Sequence, residues 1–231
     1  MPSHPYLSQV NPSESLTVDI NQLKELRKLV SEGEGTRLEF KRKASHPDKI
    51  VKEIIAFANT QGGTLLIGVS DDQTIPGVSY PDEEWHVIRK ALKHYCRPGL
   101  FIESVFIPLS EKKYVVWLTI PKSEKRPHRF VVKEQPAECY IRFEDKSMKA
   151  SSEMQEIIRR AKQKKDIQFT YGDEEQKLMH YLASNPTITV GQFQKLVHLN
   201  HFKASRKLVT LVLANVLKIA PTEKGDLYSR V

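Results

Sequence analysis

Apolar positions along this chain change period several times, and each change marks an element. Residues 17–19 open a short helix in which Ile20, Leu23, Leu26 and Val30 share one face, and Gly33 and Gly35 bracket its end. Residues 37–41 then alternate strictly. Leu38 and Phe40 point one way and Arg37, Glu39 and Lys41 the other, which predicts a half-buried strand with a charged outer face. Ser45, His46, Pro47 and Asp48 signal a helix start, and Ile50, Val51, Ile54, Ile55 and Ala58 continue at helical spacing. Asn59, Thr60, Gln61, Gly62 and Gly63 stop that helix. The nearly continuous apolar run 64–69 reads as a central strand buried on both faces, ending at Ser70, Asp71 and Asp72.

A third helix is predicted over 81–96, carrying Trp85, Ile88, Leu92 and Tyr95. Residues 102–108 and 114–120 read as a hairpin, and 128–132 with 138–143 as a second strand pair. A helix from Ser151 or Ser152 runs into the basic stretch 159–165, the expected domain boundary. Beyond it the texture changes. Asp173 with Gln176, and Thr189 with Gln192, read as two capping boxes; a third helix spans 202–214, and Asn215 suits a left-handed cap. Two short strands, 216–220 and 227–231, close the chain. Three helices and a terminal hairpin is the order of a winged helix-turn-helix. The expected division is a flexible lead-in over 1–18, an α+β domain over 19–165 and a small winged-helix domain over 166–231.

Composition narrows the class. At 231 residues, with 39% hydrophobic and 28% charged, the chain is ordinary globular material. Cys96 and Cys139 alone support neither a disulfide framework nor a four-cysteine zinc site. No apolar run approaches the roughly 18 residues of a membrane span, and residues 1–18 lack the apolar region of a secretory signal, so a cytoplasmic protein with no membrane partner is expected. The net charge of +8, with 36 Lys and Arg against 28 Asp and Glu, favours polyanionic partners, chiefly nucleic acid.

Four groups of residues carry candidate chemistry. Glu34, Glu39 and Asp71, brought to one rim of a sheet, are the oxygen ligands that Mg²⁺ or Mn²⁺ takes, and Lys41 beside them suits a phosphate. Surface charges flanking a sheet have the same spacing. The turn at Asn59 to Gly63 offers backbone amides to a phosphate, although a glycine turn needs no ligand to explain it. Tyr140 and Arg142 share one strand face and suit base stacking and phosphate contact, or a solvated cation–π pair. The last helix has a basic edge of Lys203, Arg206 and Lys207 that suits DNA, or a protein partner if the segment is an adaptor. No Gly-x-x-x-x-Gly-Lys-Ser/Thr string occurs, so a P-loop ATP site is not supported. The scattered histidines, and His94 near Cys96, read as structural.

The string from Glu34 through Glu39 and Lys41, then Ala56, Phe57, Ala58, Asn59, Thr60, Gly62 and Gly63, then 66–72 and Gly77, resembles the Schlafen Alba-type domain, with Tyr140, Ile141, Arg142 and Phe143 as its closing strand. The resemblance covers about residues 20–165. It implies a Schlafen-like mixed sheet with flanking helices and a DNA-binding module, often followed by a helix-turn-helix. It also implies, for nuclease members, an acidic metal site that falls on Glu34, Glu39 and Asp71. The leading expectation is a DNA-binding transcriptional regulator that contacts nucleic acid through Lys41, Arg42, Lys43, Tyr140, Arg142, Lys203, Arg206 and Lys207. A homodimer would supply a second lobe. The alternative is an endoribonuclease using Mg²⁺ or Mn²⁺ on structured RNA, with Glu34, Glu39, Asp71 and Lys41 as its catalytic set.

Overall fold

The computed structural model describes residues 19–161, 167 and 169–231. The first helix, α1 (Ile20–Glu32), is capped by Asp19, whose carboxylate accepts from the Asn21 amide, and it buries Leu26 and Val30. Strand β1 (Leu38–Lys41) leads through α2 (Pro47–Asn59) to β2 (Gly63–Ile67), and β1 and β2 pair in parallel. Helix α3 (Pro81–Tyr95) runs into the short strand β3 (Cys96–Arg97), followed by the hairpin of β4 (Glu103–Ser110) and β5 (Lys113–Ile120). The four-stranded sheet has the order β1-β2-β5-β4 and is mixed, because β5 pairs antiparallel with β2. This is an α+β fold, a mixed sheet with helices on both faces.

Strand parity decides which side chains meet which helix. Leu38, Phe40, Leu66 and Val115 pack with Leu26 and Val30 of α1. Leu65, Ile67, Val116 and Leu118 pack under α2 and α3 with Ile54, Ile55, Phe57 and Ile88. Glu39 therefore lies on the α2 side. The face of β1 expected to be solvated is covered, and Leu38, Glu39 and Phe40 are all buried. The turn after α2 is equally confined. A Cβ on Gly63 would come within 2.5 Å of the Phe57 ring, and one on Gly62 within 2.7 Å of the Ile120 carbonyl. Tight packing against the Phe57 ring at Gly63 and the Ile120 backbone at Gly62 accounts for these two glycines.

The second expected strand pair is rearranged. The strand β6 (Arg129–Phe130) pairs with β3, whereas β7 (Tyr140–Phe143) forms a hairpin with β8 (Lys146–Lys149). Only a single bridge, Phe130 with Glu138, joins the segments expected to be partners. The tight turn at Glu144, which has positive φ, made the nearer hairpin. Helix α4 (Ser152–Ala161) follows, and Cys139, Ile141, Ala150 and Ile158 form a small core beneath it. The expected boundary at 165 lies outside the described residues.

The C-terminal segment contains α5 (Asp173–Ser184), α6 (Val190–Val197), α7 (His201–Leu213) and the antiparallel ribbon β9 (Leu217–Ala220) and β10 (Leu227–Arg230). Its own core includes Leu178, Phe193, Leu208 and Tyr228. Thr189 and Gln192 make the expected capping box, and Asn215 takes the left-handed conformation at φ 58°. The other box is displaced by one residue: the Gly172 amide donates to Glu175 at 3.0 Å, so Glu175 and not Gln176 closes it. Helix α7 packs beside α4, where the Ser205 hydroxyl donates to Glu153 at 2.7 Å. No helix among the described residues is long and apolar enough to cross a membrane.

Candidate functional site

The covered face of β1 holds a row of alternating charges. Arg142 of β7 pairs with Glu39 at 2.7 Å, Glu39 also pairs with Lys41, and Lys41 lies 3.5 Å from Glu53 of α2. The Arg142 side chain is 2% exposed. Its guanidinium donates to the Gly35 carbonyl at 2.9 and 3.1 Å, to the Leu38 carbonyl at 3.3 Å and to Ser147, and it lies 4.9 Å from the Phe57 ring centre. Arg142 therefore ties the loop before β1, β1 itself and α2 to β7. It offers no surface to a nucleic acid, contrary to the expectation from strand parity. Lys41 is partly covered, and it also donates to the Phe40 carbonyl at 2.9 Å. Burial lowers its pKa, but the bond to Glu39 and the charges of Glu53 and Glu34 outweigh that and leave it raised.

Glu34 accepts from the Phe40 amide at 2.7 Å, which orders the entry to β1. Partial desolvation raises its pKa, the Phe40 amide opposes this, and the negative charges of Glu39 and Asp71 add to the rise. The three acids thus share an electrostatic neighbourhood. They do not share a donor set. Glu39 is held between two cations, Asp71 is exposed on the turn after β2, and among the described residues no three His, Cys, Asp or Glu side chains come together as a group able to hold a metal ion. The residues present do not fit a Mg²⁺ or Mn²⁺ centre.

Glu53 was not legible as a site residue. It sits on α2 at the turn below Phe57, facing Glu39. Burial, then repulsion from Glu39, pushes its pKa from 4.5 up to about 7, against the opposing pull of Lys41 and Arg142. Its Oε2 has no hydrogen-bond partner among the described residues. The folded state keeps a proton that the unfolded chain releases near pH 4.5. Stability contributed at this position is therefore complete below that pH and falls until about pH 7. Thermal melts should show Glu53→Gln gaining on the wild type from pH 5 to pH 8, by up to about 3 kcal/mol. A constant difference across that range would contradict the assignment.

The remaining expected contacts divide between surface and interior. Arg42 and Lys43 are exposed just after β1, and Lys203 and Arg206 are exposed on α7, whose N-cap Asn200 accepts from the Lys203 amide at 2.9 Å. Lys207 pairs instead with Glu175 at 2.5 Å and Glu174 at 3.5 Å, fastening α7 to α5. Tyr140 is half-buried; its hydroxyl donates to Glu138 at 2.6 Å and Lys52 lies 5.5 Å from its ring centre. The role of the Asn59 side chain is the other feature the sequence did not reveal. Its amide donates to the His128 and Tyr140 carbonyls, both at 2.9 Å, and its oxygen accepts from the His128 amide at 2.7 Å. Burial lowers the pKa of His128, whose ring lies 2.8 Å from the Pro98 carbonyl and 2.6 Å from the Ser123 hydroxyl.

The family model described as Schlafen, AlbA_2 matches residues 34–151, just over half of the chain. The chain belongs to the Schlafen, AlbA_2 family. The AlbA_2 span begins at Glu34 and ends at Ser151, so it contains the whole charge row on β1, Asn59 and the β7–β8 hairpin, and stops before α4. No curated protein matches the chain at a significant level. Among solved structures, the N-terminal domain of a RecG-related protein from Nitrosomonas europaea matches at a TM-score of 0.40 and 21% identity, over 51% of this chain and 88% of that one. The DIP2311 protein from Corynebacterium diphtheriae aligns over 92% of this chain at a TM-score of 0.45 and 15% identity, and this chain spans 49% of its length.

Proposed function

We propose that this AlbA_2 protein binds nucleic acid without cutting it, as a DNA-binding transcriptional regulator whose α5, α6, α7 and β9–β10 act as a winged helix-turn-helix. The observation that carries the choice between binding and cleavage is the position of Glu39, clamped between Arg142 and Lys41 and so committed to holding the fold together. A carboxylate that must stay between two cations is a poor metal ligand, and Lys41, engaged by two glutamates, is a poor partner for a scissile phosphate.

In this reading α7 enters the major groove by its N-terminal half, with Lys203 and Arg206 on the exposed edge and the β9–β10 ribbon alongside the backbone. Arg42 and Lys43 add phosphate contacts from the AlbA_2 lobe. A homodimer would present two copies of α7 to two half-sites. The test is a salt titration of duplex binding. Wild-type affinity should fall linearly in log salt, and replacing Lys203 and Arg206 by Ala should weaken binding and flatten the slope by about two. An unchanged slope and affinity in the double variant would remove α7 from the interface.

A further inference from the structure

Helix α3 and the strand β3 that follows it carry a run of cations. Between Glu84 and Glu103 the chain carries Arg89, Lys90, Lys93 and Arg97 and no Asp or Glu. All four are exposed, and among the described residues none is in an ion pair. They line a ridge between two clefts. On one side a cleft of about 730 Å³ has Val87, Ala91 and Tyr95 in its wall and Lys90, Lys93 and Arg97 at its edge. On the other a cleft of about 640 Å³ sets Arg89 and Lys93 against Trp85 and Phe101. Neither cleft has a carboxylate in its lining.

Two further observations point to an anionic occupant. Arg97 stands directly across from Arg129 in the β3–β6 pair, and its guanidinium donates to the Lys93 and Cys96 carbonyls, both at 2.8 Å, so two like charges are held together at this end of the ridge. Phe101 is 75% exposed at the mouth of the second cleft, an apolar ring left in water beside cations. The clefts beside α7 differ in kind: one includes Glu153 and Glu156, the other Glu174 and Glu175.

We infer that the α3 ridge and its two clefts bind a single-stranded segment of nucleic acid, with phosphates on Arg89, Lys90, Lys93 and Arg97 and unpaired bases against Phe101 and Trp85. A duplex keeps its bases stacked inside and presents only phosphates to a surface of this kind. Exposed rings interleaved with cations match a strand whose bases are open. The inference rests on the nucleic-acid reading and adds a second surface to it, distinct from α7.

The experiment measures fluorescence anisotropy of a labelled oligothymidine and of a labelled duplex at low salt. The proteins are the wild type, Lys90→Glu/Lys93→Glu, the milder Lys90→Ala/Lys93→Ala, and Phe101→Ala. Each variant changes only exposed side chains, and matched thermal melts establish that it folds. Charge reversal should weaken oligothymidine binding more than tenfold and flatten its salt slope by about 1.4. The alanine pair should show the same loss of slope. Phe101→Ala should weaken binding about fivefold with the slope unchanged. Folded charge variants that bind oligothymidine as the wild type does would overturn the inference, as would a wild type that binds duplex but not oligothymidine; the regulator reading survives both results. A wild type that binds neither overturns the two together.

Discussion

Arg142→Ala is expected to destabilise the protein by about 3–5 kcal/mol, the usual cost of removing one partner from a buried ion pair. Three losses combine. Glu39 keeps only Lys41 as a counter-charge. The Gly35 and Leu38 carbonyls lose their guanidinium donor. The Phe57 ring loses the cation that covers it. For a chain of this size the melting temperature should drop by roughly 10 °C. Arg142→Lys should recover only part of the loss, because an ammonium cannot reach two carbonyls and a carboxylate in one plane. Replacing Glu39 and Arg142 together by Gln and Met should cost less than the sum of the single changes, since no buried charge is then stranded. An Arg142→Ala variant that melts within 1–2 °C of wild type, no more than about 1 kcal/mol, would show that the guanidinium is not the tie described.

Asn59→Ala is expected to cost about 3–4 kcal/mol by leaving three backbone groups without their partner: the buried His128 amide and carbonyl and the part-buried Tyr140 carbonyl. Asn59→Asp is the sharper variant. It places a carboxylate against two carbonyls, so at neutral pH it should be at least as damaging as alanine. Burial and those carbonyls would raise the new acid's pKa, so its deficit relative to Asn59→Ala should shrink as the pH is lowered and the acid takes up a proton. Paired melts at acid and neutral pH measure this. If both variants melt as the wild type does, the amide is not what joins α2 to the segment around His128.

What was legible in the sequence was what local pattern encodes. The spacing of Ile20, Leu23, Leu26 and Val30, the alternation at Leu38 and Phe40, and the Thr189–Gln192 box each place an element correctly, because each depends on neighbours a few residues away. Apart from the one-residue shift of the box at Gly172 and Glu175, the failures are failures of distance. Alternation assigns Glu39 to a face but cannot say that α2 and Arg142 cover it. Asn59 reads as a helix stop because its partners lie 69 and 81 residues further on. The pairing of β3 with β6 turned on which of several short strands met, whereas that of β7 with β8 follows from the tight turn at Glu144. One clue to the burial of the charge row is local. The run Ile54, Ile55, Ala56, Phe57, Ala58 is apolar all round the helix, which places α2 between layers and makes Glu53, on the same turn, a partly buried acid. In α3 the apolar stripe is a local, periodic signal, whereas the acid-free cationic stretch from Arg89 to Arg97 has no periodicity that marks it.

The most direct measurement incubates the wild-type protein with duplex DNA and with structured RNA, each in Mn²⁺ and in EDTA, and follows both retention and integrity of the nucleic acid. Retention of nucleic acid that is intact in all four mixtures, weakening steeply with salt, is the expected result. RNA cut in Mn²⁺ and spared in EDTA, with the cutting abolished by Glu34→Gln, would contradict it and would return Glu34, Glu39 and Asp71 to the role of a metal site.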